Sequence, residues 1–137
     1  MAEALGVAAA VITLVKTTRR VIQYVGEVKD SSHECSKLLV ELSMTAGVID
    51  SLGTLLTSNT EEAWLATTSS LNLPRGPLEE FSRLLDLLSS RLEPMTGLRK
   101  FGKALTWPLR KDEMKEMIAI IERLKTMFVL ALELDNV

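Results

Sequence analysis

A chain of 137 residues with 47% hydrophobic side chains has enough apolar surface for one domain with a real core, and three Phe, two Trp and one Tyr leave that core mostly aliphatic. A net charge of −2 gives no argument for wholesale nucleic-acid binding, and the single Cys35 excludes an internal disulfide. One thiol and no secretion signal fit a reducing, intracellular compartment.

The first stretch, Met1 to Val15, carries one charge, Glu3, in a run of Ala, Val, Leu and Ile. A surface helix needs only one apolar stripe, so a segment apolar on every side is expected deep in a core, in a partner or in a membrane. Ala4 to Val15 makes about 18 Å of helix, too short to cross a hydrocarbon layer of roughly 30 Å alone. Lys16, Arg19 and Arg20 follow the apolar run instead of preceding it, which argues against a signal peptide. Val21, Ile22, Val25 and Val28 then return on one face, and the spacing predicts a helix over 4–28.

Ser31 and Glu34 have capping-box spacing at the start of a second helix. Leu38, Leu42, Ile49, Leu52 and Leu56 carry its stripe over 31–57, and Gly47 and Gly53 mark places where another helix comes close. His33 and Cys35 are two apart and face differently, and no second His completes a metal ligand set. A short helix is expected over 61–66, with Trp64 as a lid on the core. After a Pro/Gly-rich connection, Pro77 suits the first turn of a helix over 77–93, ended by Pro94.

Met95 to Lys111 contains no acidic residue, yet Arg99, Lys100, Lys103, Arg110 and Lys111 are basic. Leu98, Phe101, Leu105 and Trp107 interleave apolar contacts, so 97–106 is expected as a short amphipathic helix with a cationic face. That face is either solvated or a patch for anionic headgroups; nucleic acid is disfavoured because no stacking series of aromatics lies beside it. Asp112 and Glu113 open a last helix over 112–134. The inner stripes are expected to join Leu42, Ile49, Leu84, Leu88, Ile121 and Phe128 beside Ile22 and Val25. No phosphate loop, paired-cysteine motif or serine elbow is present, so neither an enzyme nor a cofactor is expected.

Several blocks together carry a resemblance: Ala4-Leu-Gly-Val-Ala-Ala-Ala-Val-Ile, Glu62-Ala-Trp-Leu, Leu71-Asn-Leu-Pro-Arg-Gly-Pro-Leu, Phe101-Gly-Lys-Ala-Leu-Thr-Trp-Pro-Leu and Ile121-Glu-Arg-Leu-Lys. The chain resembles the fungal HeLo-like domain, the N-terminal domain of NOD-like (STAND, NACHT-bearing) receptors, which is similar to the four-helix executioner bundle of the necroptosis pseudokinase. The resemblance covers nearly all of residues 1–137, although Leu109 stands where relatives often have Phe. It implies an all-α, HeLo-like bundle of four long helices plus two short ones, forming a single domain followed by receptor domains in the same polypeptide. It also implies a cytoplasmic cell-death effector that self-associates on activation and permeabilises the plasma membrane.

Carried to this sequence, the membrane-active segment is Ala4, Leu5, Val7, Ala8, Val11, Ile12, Leu14 and Val15. The basic residues, carried over as a class, are Lys16, Arg19, Arg20, Arg99, Lys100, Lys103, Arg110 and Lys111. Anionic membrane lipids and further copies of the chain are the expected partners. The competing classes are a non-lytic interaction module of a receptor and an enzyme whose site has no recognised motif.

Overall fold

The computed structural model describes residues 2–28, 32–58, 71, 74–99 and 107–133, which form four helices and, among the described residues, no strand. Helix α1 runs Ala2–Val28, α2 His33–Ser58, α3 Pro77–Arg99 and α4 Lys111–Glu133. The expected helices over 4–28, 31–57 and 112–134 match these within two residues. The short helix over 61–66, with Trp64, lies outside the described residues.

One local expectation is corrected and another is not reached. The Ser32 hydroxyl caps α2 by accepting the Cys35 amide at 3.2 Å, while Ser31, expected in that place, lies outside the described residues. Pro94 does not end α3, which continues through it to Arg99, so no separate helix begins at Gly97; residues 100–106 lie outside the described set. Pro94 is exposed; it lacks the amide that would bond the Ser90 carbonyl, and its ring crowds that carbonyl. Buried Leu92 and half-buried Met95 dock the helix on both sides of it. The Ser90 and Thr96 hydroxyls donate to the carbonyls of Leu87 and Glu93 at 2.8 and 2.7 Å.

Pro77 does open α3. Arg75, at φ 62°, turns the chain just before it, and the Glu79 carboxylate accepts the Arg75 amide while also pairing with Arg83 at 3.0 Å.

α1 packs against α2 and α3, α2 packs against α4, and α3 touches α4 more lightly. Cross-helix contacts fix the directions. Arg19 with Asp50 and Val11 with Gly53 make α1 and α2 antiparallel, whereas Glu34 with Lys111 and Glu41 with Lys125 make α2 and α4 parallel. Arg91 with Glu113 and Glu80 with Arg123 make α3 and α4 antiparallel. The bundle thus places α2 and α3, consecutive among the described helices, on a diagonal.

Leu42, Ile49, Leu84, Leu88, Ile121, Phe128 and Val25 are all buried in one core, and Ile22 packs against it half-buried. Phe81 meets Phe128 edge to face, with ring centroids 6.1 Å apart. Gly53 does mark a close approach: a Cβ there would lie 3.1 Å from Val11 Cγ1. Gly47 does not, since its missing side chain faces open space.

Candidate functional site

The N-terminal half of α1 is amphipathic in a way its composition hides. Val7, Ala8, Val11, Leu14 and Val15 are buried, while Gly6, Ala9, Ile12 and Thr13 face outward. Within this one chain the segment is therefore not sheltered by the core on every side, which leaves a partner or a membrane as the other expected cover. The outer face is tolerated in water because Gly, Ala and Thr present little apolar area, and Ile12, 45% exposed, is its one large hydrophobe among the described side chains. The side chains of Ala4 and Leu5 lie outside the described residues.

Among the described side chains, what holds this segment down is almost wholly apolar. The Thr17 and Thr18 hydroxyls donate to α1's own carbonyls of Thr13 and Leu14 at 3.0 and 2.6 Å, and Gln23 bonds Glu27 four residues on. Among the described side chains, the one ion pair from α1 to another helix is Arg19–Asp50 at 3.8 Å, with the two side chains 66% and 58% exposed. A shallow groove of about 250 Å³ runs beside it between α1 and α2, lined by Ile12, Val15, Lys16, Arg19 and Asp50 among others.

Among the described side chains the basic residues do not form one patch. Lys16, Arg19 and Arg20 lie exposed midway along α1, directly after its uncharged outer face. Arg110 and Lys111 sit at the start of α4 and are engaged by acids: Arg110 meets Asp112 and Glu113 at 3.5 and 2.9 Å, and Lys111 meets Glu34 at 3.4 Å. Lys100, Lys103 and the Arg99 side chain lie outside the described residues.

Helix α4 is fastened differently from α1. Besides Lys111–Glu34 it makes Arg91–Glu113 at 2.6 Å, Lys37–Glu122 at 3.5 Å, Arg123–Glu80, and Lys125–Glu41 at 2.7 Å. The last pair is mostly out of water, with side chains 19% and 11% exposed. Sequence reasoning missed it, although a lone acid inside the apolar run Leu38-Leu39-Val40-Glu41-Leu42 was a signal for a buried partner. Near the start of α4 the Met114 sulfur accepts the Trp107 indole N–H at 2.9 Å and the buried Cys35 thiol at 3.8 Å, tying the Trp107-Pro108 turn to α2. His33 is exposed while Cys35 is buried, so the two face apart as their spacing requires.

Two carboxyls are held below the usual glutamate range. For Glu34 the main cause is its own backbone amide, followed by the charge of Lys111; for Glu79 it is the Arg75 amide, followed by Arg83, with partial burial opposing both. Both sit in the first turn of their helices, where they complete amide hydrogen bonding.

Among the described residues no three His, Cys, Asp or Glu side chains gather as a metal ion would need. One described helix, His33–Thr57, is long and apolar enough to cross a membrane by length and composition, with mean hydropathy 1.4; a core helix of a bundle has the same properties. Compared with models of known families, with curated proteins and with solved structures, the chain matches none.

Proposed function

We propose that this helical bundle is a membrane-permeabilising effector of the HeLo-like kind, cytoplasmic at rest, in which several copies of α1 leave the bundle together and enter anionic lipid. The observation that carries this reading is the way α1 is held: an apolar inner face, an uncharged outer face from Gly6 to Thr13 and, among the described side chains, one solvent-exposed ion pair to the rest of the bundle. Apolar contacts are not directional, so hydrocarbon replaces them at little cost, whereas a hydrogen-bonded interface would have to be broken. Lys16, Arg19 and Arg20 follow immediately, where their long stems reach headgroups as the apolar turns sink. Because about 18 Å of helix falls short of a full bilayer, copies act in groups or thin the membrane.

The test is dye release from liposomes with and without anionic lipid, using Ile12→Glu. Val7 and Val11 are buried, so a Glu at either would place an unpaired carboxylate in the core and unfold the domain. Ile12 is on the outer face, so Glu there leaves the melting temperature near wild type but opposes insertion. Loss of release with an intact melt is the expected result. Wild-type release from folded Ile12→Glu would remove α1 from the mechanism, and an absence of any release by the wild-type chain would favour the non-lytic interaction module.

A further inference from the structure

The groove between α1 and α2 is polarised across its width. Its α1 wall supplies donors and positive charge, the Lys16 ammonium and the Arg19 guanidinium one turn apart. Its α2 wall supplies acceptors and negative charge, the Asp50 carboxylate followed by Thr54 and Thr57. Both threonine hydroxyls direct their hydrogens into the helix, Thr54 to the Asp50 carbonyl at 3.1 Å and Thr57 to the Thr54 carbonyl at 2.9 Å, which leaves oxygen lone pairs for a ligand. The Arg19–Asp50 contact that crosses the groove is 3.8 Å long, beyond hydrogen-bond reach, and among the described residues Lys16 makes no ion pair. Both walls therefore keep hydrogen-bonding capacity for a ligand.

A simple anion suits the α1 wall and is repelled by Asp50 on the other. A ligand that joins a phosphate to a primary ammonium by a short linker suits both. Its phosphate oxygens accept from Lys16 and Arg19, and its ammonium donates to the Asp50 carboxylate and the Thr54 hydroxyl oxygen. A quaternary ammonium has no N–H for those oxygens, and a glycerol or inositol headgroup has no positive charge for Asp50. At about 250 Å³ the groove is smaller than the roughly 300 to 1,000 Å³ of a drug-sized pocket, so it admits a headgroup and leaves acyl chains outside.

We infer that this groove binds the phosphoethanolamine headgroup of a bilayer lipid, with the phosphate on Lys16 and Arg19 and the ammonium on Asp50 and Thr54. The two walls belong to two helices, so the site exists only while α1 is docked on α2 and serves arrival at the membrane, before α1 departs. The inference rests on the proposed function for the bilayer as partner and adds which headgroup the folded bundle reads. Its readout is binding and not leakage. Leakage without a headgroup preference removes this inference and leaves the proposed function; a preference without leakage supports this inference and favours the non-lytic module.

The experiment is co-sedimentation of the 137-residue chain with vesicles of fixed phosphatidylglycerol content, in which the remaining lipid is phosphatidylcholine or phosphatidylethanolamine. Net charge is then the same in both. The chain is expected to bind the ethanolamine vesicles about threefold more tightly, the effect of one solvent-exposed charged contact. Asp50 is exposed, so Asp50→Asn is expected to melt near wild type. It is expected to abolish the difference between the two vesicles while holding or strengthening binding to both, since it removes a negative charge. Asp50→Glu keeps a carboxylate and is expected to keep the difference, and Lys16→Gln with Arg19→Gln weakens binding to both vesicles. Equal binding of the wild-type chain to the two vesicles would overturn the inference. So would a preference that persists in folded Asp50→Asn, because looser packing of ethanolamine bilayers would then be its source.

Discussion

Helices α1 and α4 bury similar apolar stripes in the same core, yet they are attached by different physics. α4 is latched by Lys111–Glu34, Arg91–Glu113, Lys37–Glu122, Arg123–Glu80 and the half-dry Lys125–Glu41, each of which names one partner in one register. Among its described side chains α1 has Arg19–Asp50 and otherwise hydrocarbon contact. Exposed ion pairs contribute little energy individually, but they fix which surface meets which. A helix held mainly by hydrocarbon contact is equally content in another apolar medium, which is what the proposed departure of α1 from the bundle requires.

The largest way to break this contrast is through the shared core. Phe128→Ala is expected to cost about 3 to 5 kcal/mol and Ile121→Ala about 2 to 5 kcal/mol in urea unfolding, because both sites are fully buried and close-packed. Such losses loosen both helices and do not distinguish them.

Glu41→Ala is more selective. It leaves the Lys125 ammonium in a mostly water-free site without its carboxylate, for an expected loss of about 1 to 3 kcal/mol, with hydrogen exchange rising in α4 before α1. Gly53→Leu acts on the other side of the comparison. Its first carbon already meets Val11 at 3.1 Å, so overpacking of about 1 to 3 kcal/mol is expected to open α1 while α4 stays protected. Equal deprotection of both helices in both variants would show that the bundle has one attachment rather than two.

Acid gives the smallest effect and a worked sign. The folded carboxyls of Glu34 and Glu79 lie below their unfolded values, so the stability they contribute is fully present above the unfolded pKa and is lost as pH falls through the folded one. Melting temperature is therefore expected to be flat near neutrality and to drop below about pH 4, with Glu34→Gln and Glu79→Gln flattening that drop.

Much of the bundle was legible because its stripes are large and aliphatic: Leu42, Ile49, Leu88, Ile121 and Phe128 announce their inward faces at 3–4 spacing. Which helices neighbour one another was not, since the parallel pairing of α2 with α4 depends on contacts such as Cys35–Met114 that span most of the chain. Pro94 misled because a proline on an exposed face near a helix end costs one hydrogen bond and crowds one carbonyl, and packing of Leu92 and Met95 outweighs both. The inner and outer faces of α1 were illegible for a simpler reason. Ala and Gly fit either side of a helix, so the hydrophobic pattern carries no phase there.

Permeabilisation by this route requires α1 to part from α2, and a reversible tether tests that directly. Val11 Cγ1 lies 3.1 Å from the Cβ position of residue 53, close enough for a bridge between Val11→Cys and Gly53→Cys, while the native Cys35 is buried against Met114. Dye release from anionic liposomes is measured with the double variant oxidised and then reduced. The expected result is no release while the bridge is closed and recovery on reduction; release by the oxidised protein at the reduced rate would contradict the departure of α1 from the bundle.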